Sequence, residues 1–283
     1  MQPVIIDCNH LCSIIRYSLP QMSAVGDRTE IIFGFLMQLA LLAERLESND
    51  MMFCWDSKIS HRKAIYPSYK QKRHTKERTK QEKENDRSAF EQFTIIKDSI
   101  LPSLEFVNSF CVDGYEADDI IAHIVFILKN EYPIVVANDN DLWQLLSYCS
   151  MFHKNSLTTD KIFTRKYDIP PESWVKVKAL AGCTSDDVKG IDGIGIKRAI
   201  QYLHGMYTPK ATAYQKITSP KGQKIYRRNL KLVSLPFDNN LNLELFESHK
   251  IKKDKFIDLC NHYHFKSLLN GRVFSLWTKW FLK

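Results

Sequence analysis

Three short apolar runs, each followed closely by an aspartate, constrain this chain more than any other feature. Val4-Ile5-Ile6 runs into Asp7, Met51-Met52-Phe53-Cys54-Trp55 into Asp56, and Ile134-Val135-Val136-Ala137 leads to Asp139. A continuous apolar run suits a parallel strand covered on both faces, whereas a strand with one wet face alternates. In open α/β sheets, ligands sit beyond the carboxyl ends of the strands. Three runs that deliver acids in register predict an α/β fold. Its central sheet is mainly parallel and flanked by helices, with a site at one end.

The intervening segments fit that reading. Leu11, Ile14 and Ile15 have helical spacing with Arg16 on the outer side, and Asn9 helps turn the chain into this helix. Ile31, Phe35, Leu36, Leu39, Leu42 and Leu46 mark a longer amphipathic helix. A helical period returns at Ser88 through Phe90, Phe93, Ile96 and Ile100, Pro102 punctuates it, and a strand follows through Phe106, Val107 and Phe110. Cys149–His153 and Lys161–Arg165 read as sheet strands around a turn. Pro170-Pro171 opens a helix through Trp174, Val177 and Leu180. Residues 210–238 are expected to be turn-rich, and the remainder to pack as helices.

The acids themselves form two clusters. Glu116, Asp118 and Asp119 open an apolar, helix-periodic segment, and Asp139 and Asp141 follow the third strand. A helix N-terminus alone favours acids. Two such clusters beside strand ends repel one another unless a cation lies between them, and hard divalent ions take oxygen ligands.

Charge is unevenly spread. The net charge is +8, and residues 58–87 carry 11 Lys/Arg against 4 Asp/Glu, so this segment alone holds +7. Tyr66 and Tyr69 interleave with Arg62, Lys70, Arg73, Lys76, Arg78 and Lys80, a mixture suited to stacking bases and neutralising phosphates. The bland alternative is a solvated loop. The most apolar run, Phe33–Ala43, is broken by Gln38 and is far short of the roughly 20 residues of a membrane span. No signal pattern opens the sequence. Seven cysteines without a CxxC pair fit reduced thiols in a cytoplasm.

Gly190-Ile-Asp-Gly193-Ile-Gly195-Ile-Lys197-Arg198-Ala199 has the form of a helix-hairpin-helix. Glycines let backbone N–H groups approach a phosphate ahead of a helix N-terminus, and contact of that kind grips DNA without reading sequence. A dinucleotide site would need a strand before the glycines, and none is expected.

With these motifs assembled, the chain resembles the flap endonuclease / 5′-nuclease family, and most closely the stand-alone enzymes of tailed phages. Asp7, Asn9, Leu11 and Arg16 are similar to its opening motif, and Trp55-Asp56 to its second acid. Arg62 and Tyr69-Lys70-Gln-Lys-Arg73 resemble the start of its helical arch, and Gly114–Asp119 and Asn138–Leu145 its central acidic motifs. Arg227–Pro236 resembles a segment following its hairpin. One departure stands out. Where the family reads Leu-x-Gly-Asp-x-x-Asp-Asn, this chain has Leu180-Ala-Gly182-Cys183-Thr-Ser-Asp186-Asp187.

The resemblance implies a PIN-like nuclease domain over residues 1–175, with a basic arch at about 57–87, and a hairpin DNA-binding region with C-terminal helices over 176–283. It implies metal-dependent hydrolysis of DNA phosphodiesters at 5′ ends or flaps, with RNA primers as a further substrate. Two Mg²⁺ ions, replaceable by Mn²⁺, would stand roughly 4 Å apart. Asp7, Asp56 and Asp118 would hold the first, with Glu116 and Asp119 nearby. Asp139, Asp141 and a shared Asp118 would hold the second, with Asp186 acting through water. Lys70 and Arg73 would contact the scissile phosphate. Arg16, Arg62, Tyr69, Gly193, Gly195, Lys197 and Arg198 would bind DNA, with a monovalent cation such as K⁺ on the hairpin carbonyls. A monomer working beside a replication polymerase or a single-strand-binding protein, in a bacterial or phage-infected cytoplasm, completes the expectation. Two rival classes are a PIN-type ribonuclease, which lacks the hairpin, and a DNA-binding relative that has lost its chemistry. Eight of nine expected acids are present, which weighs against the second.

Overall fold

The computed structural model describes residues 1–24, 26–72, 77–238 and 240–283. Six strands form the principal sheet: β1 (Val4–Asp7), β2 (Met51–Cys54), β3 (Ser109–Phe110), β4 (Ile134–Val136), β5 (Ser150–His153) and β6 (Ser156–Thr158). Their order is β3-β2-β1-β4-β5-β6, all parallel except the β5–β6 hairpin at one edge.

Each of the three apolar runs feeds two cores at once. Val4, Ile6, Met51, Phe53, Ile134 and Val136 face one side of the sheet. Ile5, Met52, Cys54 and Val135 face the other. The two-residue period of a strand makes this partition, and it explains why these runs show no polar alternation. On the first face lie α1 (Cys8–Ser18), α2 (Glu30–Leu46) and the last turns of α3 (Lys80–Ile95), together with residues near the C-terminus such as Phe256 and Trp277. On the second lie α4 (Ala117–Ile127), α5 (Asp160–Tyr167) and α6 (Trp174–Ala181), and beyond them α7 (Ile196–Leu203). After these come α8 (Thr212–Thr218), α9 (Pro220–Val233), α10 (Lys253–His262) and α11 (Gly271–Trp280).

Four sequence expectations are corrected. Lys161–Arg165 is helical, within α5, and the strand pairing with β5 is Ser156–Thr158 instead. Thr159 caps that helix by accepting a hydrogen bond from the Ile162 N–H, and Phe163 is its buried anchor. Residues 210–238 form two helices rather than turns, with Ser219 capping α9 through the Gly222 N–H. The basic segment already turns helical at Lys80, where Thr79 and Glu82 form a reciprocal capping box. The strand near Phe110 is also shorter than its apolar run suggests, being Ser109–Phe110 alone.

The strand order reverses between β1 and β4, and this is the topological switch point where α/β sheets bind ligands. Register sharpens the point. Asp7 is level with Cys54, and Ile6 with Val136. Asp56 and Asp139 therefore each stand two residues beyond the level of Asp7, on either side of it.

Candidate active site

Local backbone demands hold the acids in place before any ligand does. Asp7 ends β1 and caps α1, its Oδ1 accepting from the His10 N–H at 2.9 Å. Asp56 Oδ1 accepts from the Ala117 N–H at 2.8 Å, so it caps the start of α4 from across the sheet. The Asp56 N–H in turn donates to Asn9 Oδ1 at 3.0 Å. Asp139 caps the 3₁₀ turn Asn140–Leu145, taking the Asp141 N–H at 2.7 Å. Asp118 lies in the first turn of α4.

Asp7, Asp56, Asp118 and Asp139 stand near enough to feel one another's charge. Burial, then the charges of Asp139, Asp7 and Asp56, pushes the Asp118 carboxyl well above the usual range, and Lys70 only partly offsets this. Burial, then Asp56 and Asp139, pushes Asp7 up to about 7. Buried carboxylates that raise one another in this way need a positive partner to ionise together. Their donors are hard oxygens, so the residues fit a divalent cation such as Mg²⁺.

A second group sits beside the first. Asp141, Cys183 and Asp186 each bring a ligand atom to within 4.8 Å of the others. Cys183 Sγ lies 3.6 Å from Asp141 Oδ2, 3.5 Å from Asp186 Oδ2 and 2.9 Å from Ser185 Oγ. The ammonium of Lys178 lies 2.6 Å from Asp141 Oδ1. Burial and the two carboxylates push the Cys183 thiol up to about 11. Asp187 is turned away from this group and engages Lys72 through its backbone N–H at 2.8 Å and its Nζ at 3.2 Å.

Lys70 bridges the two regions. Its Nζ lies 2.8 Å from Glu116 Oε2 and 3.9 Å from Asp186 Oδ1, and its N–H donates to the Asp186 carbonyl at 2.9 Å. Glu116 also accepts from the Tyr69 hydroxyl at 2.9 Å. Arg73 lies outside the described residues.

Packing gives three of the residues singled out from sequence partners within the protein. Asp119 is fully buried and turned away from the other acids. Arg62 Nη1 and Nη2 reach its two oxygens at 2.6 and 2.7 Å, and the Glu116 and Phe237 N–H groups donate to it as well. Its acceptor capacity is filled by the protein, which points to a structural role. Arg62 is itself buried, with Nε on the Leu232 carbonyl at 2.8 Å. Tyr69 is buried against Glu116 and does not offer a stacking face. Arg16 pairs with Asp86 at 2.5 Å and ties α1 to α3. Gly193, Gly195, Lys197 and Arg198 are exposed at the start of α7, where the Gly193 and Asp192 carbonyls accept from Arg198 and Lys216 at 2.6 and 3.2 Å.

Sequence reasoning missed Lys178. It is partly buried on α6, four residues after Trp174 and one turn before Gly182. A lysine on an apolar stripe was the available signal, because it must find a buried anion.

Residues 2–168, more than half of the chain, match the family model described as the 5′-3′ exonuclease N-terminal resolvase-like domain. The chain belongs to the 5′-3′ exonuclease family. Among this family's curated proteins, a 5′-3′ exonuclease of Buchnera aphidicola is 30% identical over 160 residues, covering 54% of this chain and 55% of that protein. A thermostable DNA polymerase I of Thermus filiformis is 29% identical over 205 residues, covering 71% of this chain and 23% of the polymerase. The chain thus spans about a quarter to half of the length of these relatives. Among solved structures, the phage T5 5′-exonuclease with bound divalent zinc ions superposes with a TM-score of 0.70 at 22% identity, covering 83% of this chain and 90% of that one. Flap endonuclease-1 of Methanococcus jannaschii gives 0.54 at 16% identity, covering 98% and 90%. Both likenesses support the 5′-nuclease fold. The family-model match ends before α6, so Cys183, Asp186 and the glycine-rich stretch before α7 lie beyond it. No helix among the described residues is long and apolar enough to cross a membrane.

Proposed function

We propose that this chain is a divalent-metal-dependent 5′-nuclease that hydrolyses DNA phosphodiesters at 5′ ends or flaps. The observation that carries this reading is the set of Asp7, Asp56, Asp118 and Asp139 at the switch point, where burial and the neighbouring carboxylates raise the Asp7 and Asp118 carboxyls and so favour a cation. Family membership supports it, as does a phage T5 flap endonuclease of the same fold that was solved with DNA and metal ions.

In this reading Asp7, Asp56, Asp118 and Asp139 hold a Mg²⁺ ion, for which Mn²⁺ can substitute, and Asp141 and Asp186 flank a second position. Bound ions supply an activated water and stabilise the leaving oxygen. Lys70 stands where it can neutralise charge growing on the phosphate, with Glu116 fixing its ammonium. Residues 1–175 act as the nuclease domain with its basic arch. Residues 176–283 grip duplex through Gly193, Gly195 and Lys197. A K⁺ ion at that hairpin would compete with Arg198 and Lys216 for the Gly193 and Asp192 carbonyls. In this reading the chain is a cytoplasmic monomer that clears 5′ flaps and primer ends beside a replication polymerase or a single-strand-binding protein; the similarity to a protein named DNA polymerase I supports the link to a polymerase.

The test is cleavage of a 5′-flap duplex with and without Mg²⁺, set against matched RNA and hybrid substrates. Asp118→Asn is expected to abolish cleavage while duplex binding persists, because binding rests on phosphate contacts elsewhere. Near wild-type cleavage by that variant sinks the assignment. Preference for single-stranded RNA would favour the ribonuclease class.

A further inference from the structure

The group around Cys183 disagrees with a second Mg²⁺ ion. Mg²⁺ requires near-ideal octahedral oxygen coordination. This position instead converges on sulfur: two carboxylate oxygens, from Asp141 and Asp186, approach Cys183 Sγ at 3.6 and 3.5 Å. A thiol has one proton, so it can satisfy only one of those acceptors. The second carboxylate oxygen receives no proton from the sulfur, and the Ser185 hydroxyl, 2.9 Å from Sγ, adds a third polar neighbour to the same atom.

The separations match those of a known coordination geometry. In a zinc-type tetrahedron with metal–sulfur near 2.3 Å and metal–oxygen near 2.1 Å, each sulfur–oxygen edge is about 3.6 Å. Both observed separations lie at that length. The trio is also largely removed from solvent, with Asp141 8%, Cys183 3% and Asp186 9% exposed. The Lys178 ammonium, 2.6 Å from Asp141 Oδ1, already neutralises one carboxylate. Mg²⁺, which sheds its waters reluctantly and gains little from sulfur, must compete with that ammonium, whereas a metal–thiolate bond gives a thiophilic ion the energy to do so.

We infer that Asp141, Cys183 and Asp186 form a mixed thiolate–carboxylate site for a thiophilic divalent cation of zinc's chemical class, with Lys178 as its competitor, and that Mg²⁺ does not occupy it. Binding forms the metal–sulfur bond and breaks the S–H bond, and the proton leaves to solvent. This inference rests on the nuclease reading only for the neighbouring Mg²⁺ position.

Co²⁺ and Cd²⁺ are the probes, added to the full chain carrying Cys111→Ser to remove the one exposed thiol. Each is expected to produce a thiolate-to-metal charge-transfer band that survives a large excess of Mg²⁺. Cys183→Ser should remove the band, with affinity falling at least about a hundredfold. Lys178→Gln should strengthen binding by on the order of tenfold, a change that a thiol elsewhere would not show. Calorimetry with Mg²⁺ should give one site in this protein and two in Cys183→Asp. Absence of the band, or two Mg²⁺ sites with Cys183 in place, overturns the inference. Flap cleavage is scored separately: an intact band without cleavage removes the nuclease reading and leaves this site, and cleavage without the band does the reverse.

Discussion

The guanidinium of Arg62 and the carboxylate of Asp119 form a buried two-point pair, with Nη1–Oδ2 at 2.6 Å and Nη2–Oδ1 at 2.7 Å. Arg62 lies in the helical turn Arg62–Ile65 at the base of the basic segment, and Asp119 lies in the first turn of α4. Through Arg62 Nε on the Leu232 carbonyl, the pair also reaches the end of α9. It joins three distant stretches of sequence beneath the acid cluster.

Removing one partner of such a pair leaves the other charge buried and unpaired, at a cost of about 3–5 kcal/mol. Asp119→Ala is therefore expected to lower the melting temperature sharply while the folded fraction still binds a divalent ion. The paired replacement Arg62→Met with Asp119→Leu should cost less than either single change. A variant that keeps its melting temperature but loses ion binding would return Asp119 to the metal site.

Lys70→Ala should reduce single-turnover cleavage on the order of a hundredfold, the size of one lost electrostatic contact to the transition state. Its ammonium is held by Glu116 and Asp186 rather than free to follow a bound strand. If only substrate affinity weakened and the saturated rate held, Lys70 would be a docking residue.

Asp7 makes ion-free stability depend on pH. Its carboxyl is raised from 3.8 to about 7 in the folded state, first by burial and then by Asp56 and Asp139. Between those values the folded chain holds a proton that the unfolded chain has released, so this group's contribution falls as pH rises through the window. Asp7→Asn retains an N-cap side chain and removes the penalty. Without divalent ions, the variant should melt a few degrees above wild type near pH 8, and the gap should narrow toward about pH 5. Added Mg²⁺ should stabilise the wild type and leave the variant nearly unchanged. A gap that is constant with pH would show that Asp7 does not titrate in this window.

Gly195→Val tests the hairpin without disturbing the fold, since an added Cβ there meets nothing within 4 Å. Blocking backbone approach should weaken duplex binding several-fold and reduce its salt dependence, with cleavage recovering at high enzyme concentration. Equal affinity across a salt series would remove the hairpin from the DNA surface.

The sequence alone determined the sheet and its site end. Each apolar run is short and continuous because β1, β2 and β4 are covered on both faces, and an aspartate past each strand is a local, readable event. The amphipathic stripe of α2 and the glycines before α7 were legible for the same reason: their cause lies within a few residues. Tertiary structure decided which acids face the cleft. Asp118 and Asp119 are adjacent in sequence, yet helix geometry sends one toward Asp7 and Asp139 and the other into Arg62. No local pattern separates them, because the partner stands 57 residues away. Lys178 and Cys183 gain their meaning in the same way, from carboxylates that only the folded chain brings within reach.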